Sequence, residues 1–217
     1  MYPPALARLK PRRLKPDFFS RSTLRAARDL IGLLLIHRHR PGPHGVTAGI
    51  IVETEAYTGS LDPGSHACRG IGKRNLPMFG PPGRAYVYKC HLYPLLNVVT
   101  EREGTPGAVL VRALEPVAGL PLMRRRRKRG NDLDLARGPG KLCQALAVGL
   151  KHNRADLIRG KLFLARPEPL PGIRIRRSTR IGLAGPAALL PWRFFASGSP
   201  CVSRHPDALC YSLLRRR

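Results

Sequence analysis

Acidic residues are scarce in this sequence. Its 217 residues include 13 aspartates and glutamates against 39 lysines and arginines, a formal net charge of +26. A folded chain with this excess repels itself unless a polyanion is its usual neighbour. Because the basic residues are spread along the whole chain, nucleic acid is the first partner to consider. A protein that merely tolerates its charge, or one held on an anionic membrane surface, is the alternative.

Long apolar runs are missing as well. No stretch of about 18 apolar residues occurs, which argues against a transmembrane helix. The first residues, Met1 to Pro4, lack the apolar segment and the small-residue cleavage site of a signal peptide. We therefore expect a protein that does not associate with membranes and stays where it is made, in a bacterial cytosol or nucleoid.

Cysteine is sparse and follows no pattern. The five cysteines form an odd set without a C-x-x-C pair: Cys68, Cys90, Cys143, Cys201 and Cys210. Neither a disulfide framework nor a structural zinc site is indicated. The Gly-Pro-Gly-Lys stretch ending at Lys141 lacks the earlier glycine and the Ser or Thr of a phosphate-binding P-loop, which argues against ATP binding. We predict free thiols in a reducing compartment, with no metal and no cofactor.

The hydrophobic content of 43% supports one packed domain. We predict a basic flexible arm at residues 1–16, a domain over residues 17–204 and a basic tail at residues 205–217. The run from Arg124 to Arg129 predicts a solvated loop between Met123 and Arg137 that contacts phosphates.

Local patterns predict both helices and strands. Ser22 or Thr23 can begin a helix that Gly32 ends, and a second short helix is expected from Leu142 to Val148. Alternation and β-branched residues predict the following strands: Leu33–Ile36, Val46–Tyr57, Ala85–Cys90, Leu95–Thr100 and Ala108–Leu114. Short turns between successive strands favour antiparallel pairing.

The stretch from Ile50 to Asn97 carries the candidate chemistry. Alternation places Glu53 and Glu55 on one face of a strand, His66 follows in a loop, and Tyr86 to Tyr88 lie on another strand. A carboxylate base, flat rings and phosphate-binding cations are what excision of an extruded base by hydrolysis requires. Each residue also has a structural interpretation, since the glutamates could pair with arginine, the tyrosines could be core and the histidine could cap a turn.

An ordered series of segments resembles the alkyladenine (3-methyladenine) DNA glycosylase family, also called methylpurine glycosylases. The segments that carry it are Ile51–Tyr57, Asp62, Ser65–His66, Arg74–Asn75, Met78–Phe79, Pro82–Gly83, Tyr86–Tyr88, Asn97, Val111–Pro116, Gly138–Pro139, Lys141–Leu146, Arg180–Gly182 and Pro191–Phe195. The resemblance implies a single α+β domain with a curved, mostly antiparallel, open barrel-like sheet and flanking helices. It also implies an enzyme that flips alkylated or deaminated purines out of double-stranded DNA and hydrolyses their N-glycosidic bond. We expect it to act as a monomer.

Carried over by position, the resemblance assigns a role to each site residue. Glu55 would be the general base, acting on a water held also by Arg112 and the main chain at Ile181. Tyr57 and Tyr88 would sandwich the base, while His66 would add stacking and hydrogen bonds. Asn97 would sit where a guanine amino group intrudes, which favours adenine-type and deaminated bases.

The segment after Tyr88 departs from the family pattern. Members usually have a Tyr-Gly-Met sequence there, whose tyrosine fills the place of the flipped nucleotide, but residues 89–96 are one residue shorter and lack it. His91 and Tyr93 are the candidate substitutes, and a weaker wedge would reduce excision of stably paired lesions such as hypoxanthine. Further DNA contacts are expected from the basic residues Arg124, Arg125, Arg126 and Lys141.

Two other functions compete with this one. A DNA-binding protein with a weakened catalytic site would share the sequence, although the complete set of site residues argues against it. A zinc nucleobase deaminase is excluded because its H-x-E and P-C-x-x-C motifs are absent. Lys89 is the only lysine near the pocket, and strand alternation directs it away, so we predict no lyase activity.

Overall fold

The computed structural model describes residues 4–203, and one large sheet dominates it. Its strands are β1 (Arg12–Arg13), β2 (Leu34–Arg38), β3 (Val46–Tyr57), β4 (Ala85–Cys90), β5 (Tyr93–Val99), β6 (Ala108–Ala118), β7 (Leu162–Arg166), β8 (Ile175–Ser178) and β9 (Arg193–Ala196). They are ordered β1-β7-β2-β3-β6-β5-β4, and β9 pairs with both β3 and β8. Every described pairing is antiparallel. The expected α+β domain with an open antiparallel sheet is confirmed.

Short helices flank this sheet. They are α1 (Pro4–Arg8), α2 (Thr23–Asp29), α3 (Leu120–Arg127), α4 (Pro139–Ala145) and α5 (Pro186–Leu189), with 3₁₀ turns at Pro16–Phe18, Pro43–Gly45, Leu76–Phe79, Asp132–Asp134 and Leu150–His152. The main core lies where α2 and α4 bury Ala26, Leu30 and Leu142 against the sheet. A smaller core forms under α1, around Leu6 and Phe163. None of the helices within residues 4–203 has the length and apolarity needed to cross a membrane.

The N-terminal residues differ from the expected flexible arm. Leu6 in α1 is completely buried, and β1 extends the sheet by pairing with β7. Arg13 donates hydrogen bonds to the main-chain oxygens of Ile158 and Gly160, at 2.6 and 3.0 Å. Residues 4–14 therefore pack on the domain, because one apolar side chain and two strand residues find partners there. The predicted tail at residues 205–217 lies outside the described residues.

Several predicted elements have the expected bounds and others do not. The strands Val46–Tyr57 and Ala85–Cys90 are found as predicted. The solvated loop predicted between Met123 and Arg137 is wrong in its first part, because residues 120–127 form α3, whereas residues 128–131 are exposed and lie outside any helix or strand. Arginine is a good helix former, and the completely buried side chain of Met123 fixes this helix on the domain. The helix predicted at Leu142–Val148 begins earlier, with Pro139 in its first turn.

Three irregularities interrupt the pairing of β3 with β6, and the one at Glu53 and Thr54 lies at the site. Glu53 lies opposite Ala113, whereas Thr54 lies opposite Val111, so Arg112 is an extra residue on β6. A bulge of this kind leaves the extra residue unpaired and redirects its side chain. It lies in the half of β3 that also pairs with β9.

Candidate active site

The C-terminal half of β3 places three polar side chains in the interior of the domain. Glu53 and Glu55 are completely buried, and Tyr57 follows at the end of the strand. Alternation along β3 directs these side chains to the same side of the sheet. Buried carboxylates need charged or hydrogen-bonding partners, and both glutamates have them.

Both oxygens of Glu55 accept hydrogen bonds. The Oε2 atom accepts from the Tyr57 hydroxyl at 2.9 Å and from Arg112 Nη1 at 3.1 Å. The Oε1 atom accepts from the main-chain N–H of Ile181 at 2.7 Å. Burial raises the pKa of Tyr57 well above its usual value, and the adjacent Glu55 charge raises it further, so this phenol stays protonated and donates.

Glu53 lies on the other side of Arg112. Its Oε1 atom accepts from Arg112 Nε at 3.0 Å, Arg193 Nε at 2.7 Å and Ser203 Oγ at 2.7 Å, and its Oε2 atom accepts from Ser203 N–H at 2.7 Å. Burial opposes ionisation of this carboxyl, but the charges of Arg112 and Arg193 outweigh it and lower the pKa of Glu53. The four charged side chains therefore form a buried cluster whose formal charges cancel.

A small pocket with aromatic walls adjoins Glu55. Its lining residues are Tyr57, Gly64, His66, Met78, Tyr86, Tyr88, Asn97 and Ala108, and its volume is about 20 Å³. This volume suffices for about one water molecule. The ring of Tyr88 contacts His66 edge-on, with centroids 4.6 Å apart, and Tyr86 at 5.1 Å. A purine base can enter only if these rings move apart.

His66 and Asn97 are both fixed by Tyr86. His66 Nδ1 lies 2.9 Å from the Tyr86 hydroxyl, and Asn97 Nδ2 donates to the Tyr86 main-chain oxygen at 3.1 Å. Burial, and next the charge of Arg74, lower the pKa of His66, which favours the neutral imidazole. Burial raises the pKa of Tyr86 to about 12. Neutral hydrogen-bonding groups therefore line this side of the pocket.

Two guanidinium groups lie over the tyrosine rings. The Arg180 guanidinium carbon is 4.7 Å from the centroid of Tyr57, and that of Arg74 is 5.0 Å from the centroid of Tyr88. Arg180 is fully buried and forms a two-bond pair with Asp62, both at 2.7 Å, and it also donates to the Ala56 main-chain oxygen. This pair holds the loop that follows β3 and the segment after β8 against Tyr57.

Comparison with known proteins assigns the chain to a family. The family model of methylpurine-DNA glycosylase (MPG) matches residues 17–200. The chain belongs to the methylpurine-DNA glycosylase family. A relative from Methanoculleus marisnigri is 48% identical over 195 residues, which cover 88% of this chain and 98% of the relative. Relatives from Rubrobacter xylanophilus and Prosthecochloris aestuarii are 46% and 43% identical, covering 87% of this chain and 95% and 89% of their own lengths. The names of all three give them, provisionally, as 3-methyladenine DNA glycosylases.

The structure of this methylpurine-DNA glycosylase family member brings most of the predicted site residues together. Tyr57, His66, Tyr88 and Asn97 line one pocket. Arg112 and the main chain of Ile181 both reach the same carboxylate, that of Glu55. The contacts differ from the expected ones in one respect, because these two groups bind Glu55 itself. The roles of all these residues stay predictions.

The turn between β4 and β5 contains the predicted wedge candidates. His91 and Leu92 form the two-residue turn, and Tyr93 already pairs with Cys90 as the first residue of β5. Tyr93 is 52% exposed and packs close to Gly140, while Leu92 is 77% exposed at the tip. The sequence reasoning missed Leu92, although an apolar residue at a hairpin tip was a usable signal.

Three of the basic residues expected to bind DNA, Arg124, Arg126 and Lys141, already have partners within the chain. Arg124 forms a two-bond pair with Asp132, and Lys141 pairs with Asp134 at 2.6 Å. Arg126 donates to the Ala145 main-chain oxygen at 2.8 Å. In addition, α3 follows the end of β6 that is farther from the pocket, about 30 Å along the strand. Contacts of Arg124, Arg125, Arg126 and Lys141 with phosphates stay a prediction.

Other residues of the site went unassigned in the sequence. Tyr86, Met78, Gly64 and Ala108 line the pocket, and alternation with Tyr88 would have indicated Tyr86. The loop from Arg69 to Arg74, with three exposed basic residues, borders His66 in a shallow cavity of about 350 Å³. Its charge density was the available signal. Within residues 4–203 no group of three or more His, Cys, Asp or Glu side chains is arranged to hold a metal.

Proposed function

We propose that this DNA glycosylase releases alkylated or deaminated purines of the 3-methyladenine, 7-methylguanine and hypoxanthine class from double-stranded DNA, acting as a monomer by hydrolysis. Glu55 accepts a proton from water as the water oxygen bonds to the sugar carbon C1′. The C1′–N bond breaks, and its electron pair leaves with the base. The products are the free base and an abasic sugar.

The observation that carries this proposal is the hydrogen bond between Glu55 and Tyr57. It joins the buried carboxylate to a ring that lines the pocket, so a base entering the pocket comes next to the carboxylate. A carboxylate has about four lone-pair positions, and Tyr57, Arg112 and Ile181 occupy three. One position remains for water, and displacement of Tyr57 by an entering base frees a second.

The pocket suits a flat base whose edges are read by few polar groups. Tyr57 and Tyr88 provide the stacking surfaces, and His66 and Asn97 provide hydrogen-bonding groups at the edge. The Asn97 amide would oppose the amino group of guanine, in favour of adenine-type and deaminated bases. A base made cationic by alkylation leaves its sugar without protonation, whereas a neutral lesion such as hypoxanthine needs a proton as it leaves.

Leu92 is the best placed residue to fill the space of the flipped nucleotide. The β4–β5 turn follows the strand that carries Tyr88, and apolar side chains are frequent wedges between base steps. His91 and Tyr93, the candidates from the sequence, flank it and would contact the DNA beside it.

Hydrolysis without a lyase step is also part of the proposal. A lyase needs an amine that attacks the abasic sugar. Lys89 is exposed on β4, and no lysine is among the residues lining the pocket in the described part of the chain.

Base release from duplexes that carry single lesions tests the proposal. Glu55→Gln keeps the size of the side chain but cannot accept the proton, so release should fall by a factor of about 10² to 10⁴ while affinity for the same duplex is kept. Tyr88→Phe is the control that alters the pocket without altering the carboxylate. Release by Glu55→Gln at the wild-type rate would refute the role of Glu55. A wild-type protein that binds the duplex and releases no base would indicate a DNA-binding member of the family with a weakened site.

A further inference from the structure

Glu53 contacts four groups from three parts of the chain. Its carboxylate holds Arg112 on β6, Arg193 on β9 and both the hydroxyl and the main-chain N–H of Ser203. The side chain is completely buried and belongs to no wall of the base pocket. It therefore cannot touch a base that occupies this pocket, and any effect on the reaction must pass through a neighbour.

Arg112 is that neighbour. Its Nε atom donates to Glu53 at 3.0 Å and its Nη1 atom donates to Glu55 at 3.1 Å, so one planar guanidinium joins the two carboxylates. Because Arg112 is the extra residue of the β6 bulge, no strand pairing fixes its position. The hydrogen bond from Nε to Glu53 is the contact that directs the other end of the guanidinium at Glu55.

We propose that Glu53 is a positioning residue for the reaction, holding Arg112 against Glu55 and balancing the guanidinium charge that acts on it. The inference rests on the proposed role of Glu55 as general base. With Glu53 ionised, Arg112 and Arg193 face two carboxylates and the cluster is neutral. Without that charge, two cations face Glu55 alone, and its ionised form becomes a weaker proton acceptor.

The other side chains around Glu55 do not balance the guanidinium charge of Arg112. The side chains that face it are Tyr57 on its own strand, Tyr88 on β4, Arg112 on β6, Arg193 on β9, and Arg180 beyond the Tyr57 ring. Both tyrosines have their pKa raised by burial, and Arg180 is paired with Asp62. Glu53 is thus the one carboxylate within the cluster that can offset the charge of Arg112 on Glu55.

The pH dependence of base release separates this role from a purely structural one. Release of 7-methylguanine should be followed in single turnovers of the full chain from the lowest pH at which it stays folded up to about pH 9, because this cationic base needs no protonation and the acid limb then reports the proton acceptor alone. Glu53→Gln should move the acid limb to lower pH by about one unit or more and lower the plateau by about tenfold. Arg193→Gln, which removes a cation instead, should move the acid limb in the opposite direction.

The outcomes are distinct. An acid limb that is unmoved in Glu53→Gln overturns the inference, whatever happens to the plateau or to thermal stability. If Glu53→Gln does not fold, Arg193→Gln decides alone, since an upward shift supports the inference and an unmoved limb overturns it. Glu55→Gln is measured in parallel. If Glu55→Gln is still active, both the proposed role of Glu55 and this inference fail. If Glu55→Gln is inactive and the acid limb of Glu53→Gln is unmoved, the inference alone is refuted.

Discussion

Tyr57→Phe should make the enzyme faster on a stably paired lesion while making it less stable. The Tyr57 hydroxyl donates to Glu55, and the volume of the pocket corresponds to about one water molecule. A base can enter only after the Tyr57 ring moves and this hydrogen bond breaks. A hydrogen bond to a charged acceptor contributes about 1.5 to 3 kcal/mol net. Removing the hydroxyl lowers the cost of opening the site by part of that amount, because Arg112 and Ile181 continue to hold the carboxylate.

A gain of about 1.4 kcal/mol in the opening step corresponds to about tenfold in rate where opening limits release. Single-turnover release of hypoxanthine paired with thymine is the appropriate assay, with thermal unfolding of the same samples to record the loss of stability. Tyr88→Phe removes a hydroxyl from another ring of the pocket that makes no hydrogen bond to Glu55 in the described structure, and should leave the rate within about twofold. A Tyr57→Phe variant that is slower than the wild type would refute the reasoning, because it would mean that the hydroxyl assists the reaction instead of keeping the pocket closed.

Three further predictions concern the wedge, the DNA interface and the core. Leu92→Ala should slow the release of hypoxanthine about tenfold and the release of 7-methylguanine less, because the exposed tip of the turn holds stably paired lesions out of the DNA duplex. Equal losses for the two bases would argue against a wedge. Neutralising the basic residues of the 69–74 loop should reduce the log–log slope of DNA affinity against salt by about 0.9 for each phosphate that these residues neutralise. Neutralising Arg124 and Arg125 should change this slope less. A larger change from Arg124 and Arg125 than from the loop would place α3 at the interface. Burial lowers the pKa of His37 from 6.5 to about 4, so the unfolded chain binds a proton that the folded chain does not, and stability present above pH 6.5 is lost as the pH falls toward about 4. This loss is about 3 kcal/mol of folding free energy. His37→Asn keeps a donor to the Leu146 oxygen and should abolish the contribution of His37 to the difference in stability between about pH 7.5 and about pH 4.5, measured by urea unfolding. An unchanged pH dependence would contradict the assignment.

The sequence predicted what depends on local alternation. In β3 and β4 the side chains alternate between the two faces of the sheet, and turns with glycine and proline bound the strands, so both were found with their observed ends. The same alternation placed Glu53 and Glu55 on one side and Tyr86 with Tyr88 on another strand of the same site. The local pattern was sufficient to predict these positions because the backbone of a strand alone decides which face of the sheet each of its side chains occupies.

What depends on distant contacts could not be predicted in this way. The helix α3 consists largely of arginine, and its position is fixed by Met123 in the core and by hydrogen bonds from Arg126 to Ala145 and from Arg127 to Leu135. The N-terminal residues are ordered by Leu6, which fills a core made of residues far along the chain. A charged or basic segment therefore gives little indication of its structure unless its partners are known.

The charged cluster at the site could not be predicted from local sequence for the same reason. Glu53 is joined to Arg193 and Ser203, which lie 140 and 150 residues away in sequence, and the bulge that frees Arg112 exists only where β3 meets β6.

Burying two carboxylates with two guanidinium groups adds little net stability, because desolvation offsets most of the attraction between the charges. A well-packed apolar cluster would fill the same volume at lower cost. The cluster is thus better explained by the proposed reaction than by folding, since Arg112 helps to orient the Glu55 carboxylate beside the pocket. Replacing Glu53, Glu55, Arg112 and Arg193 together with apolar residues of similar size should then give a chain that folds and has lost base release, and a large loss of stability in that variant would mean that the cluster is needed for the fold.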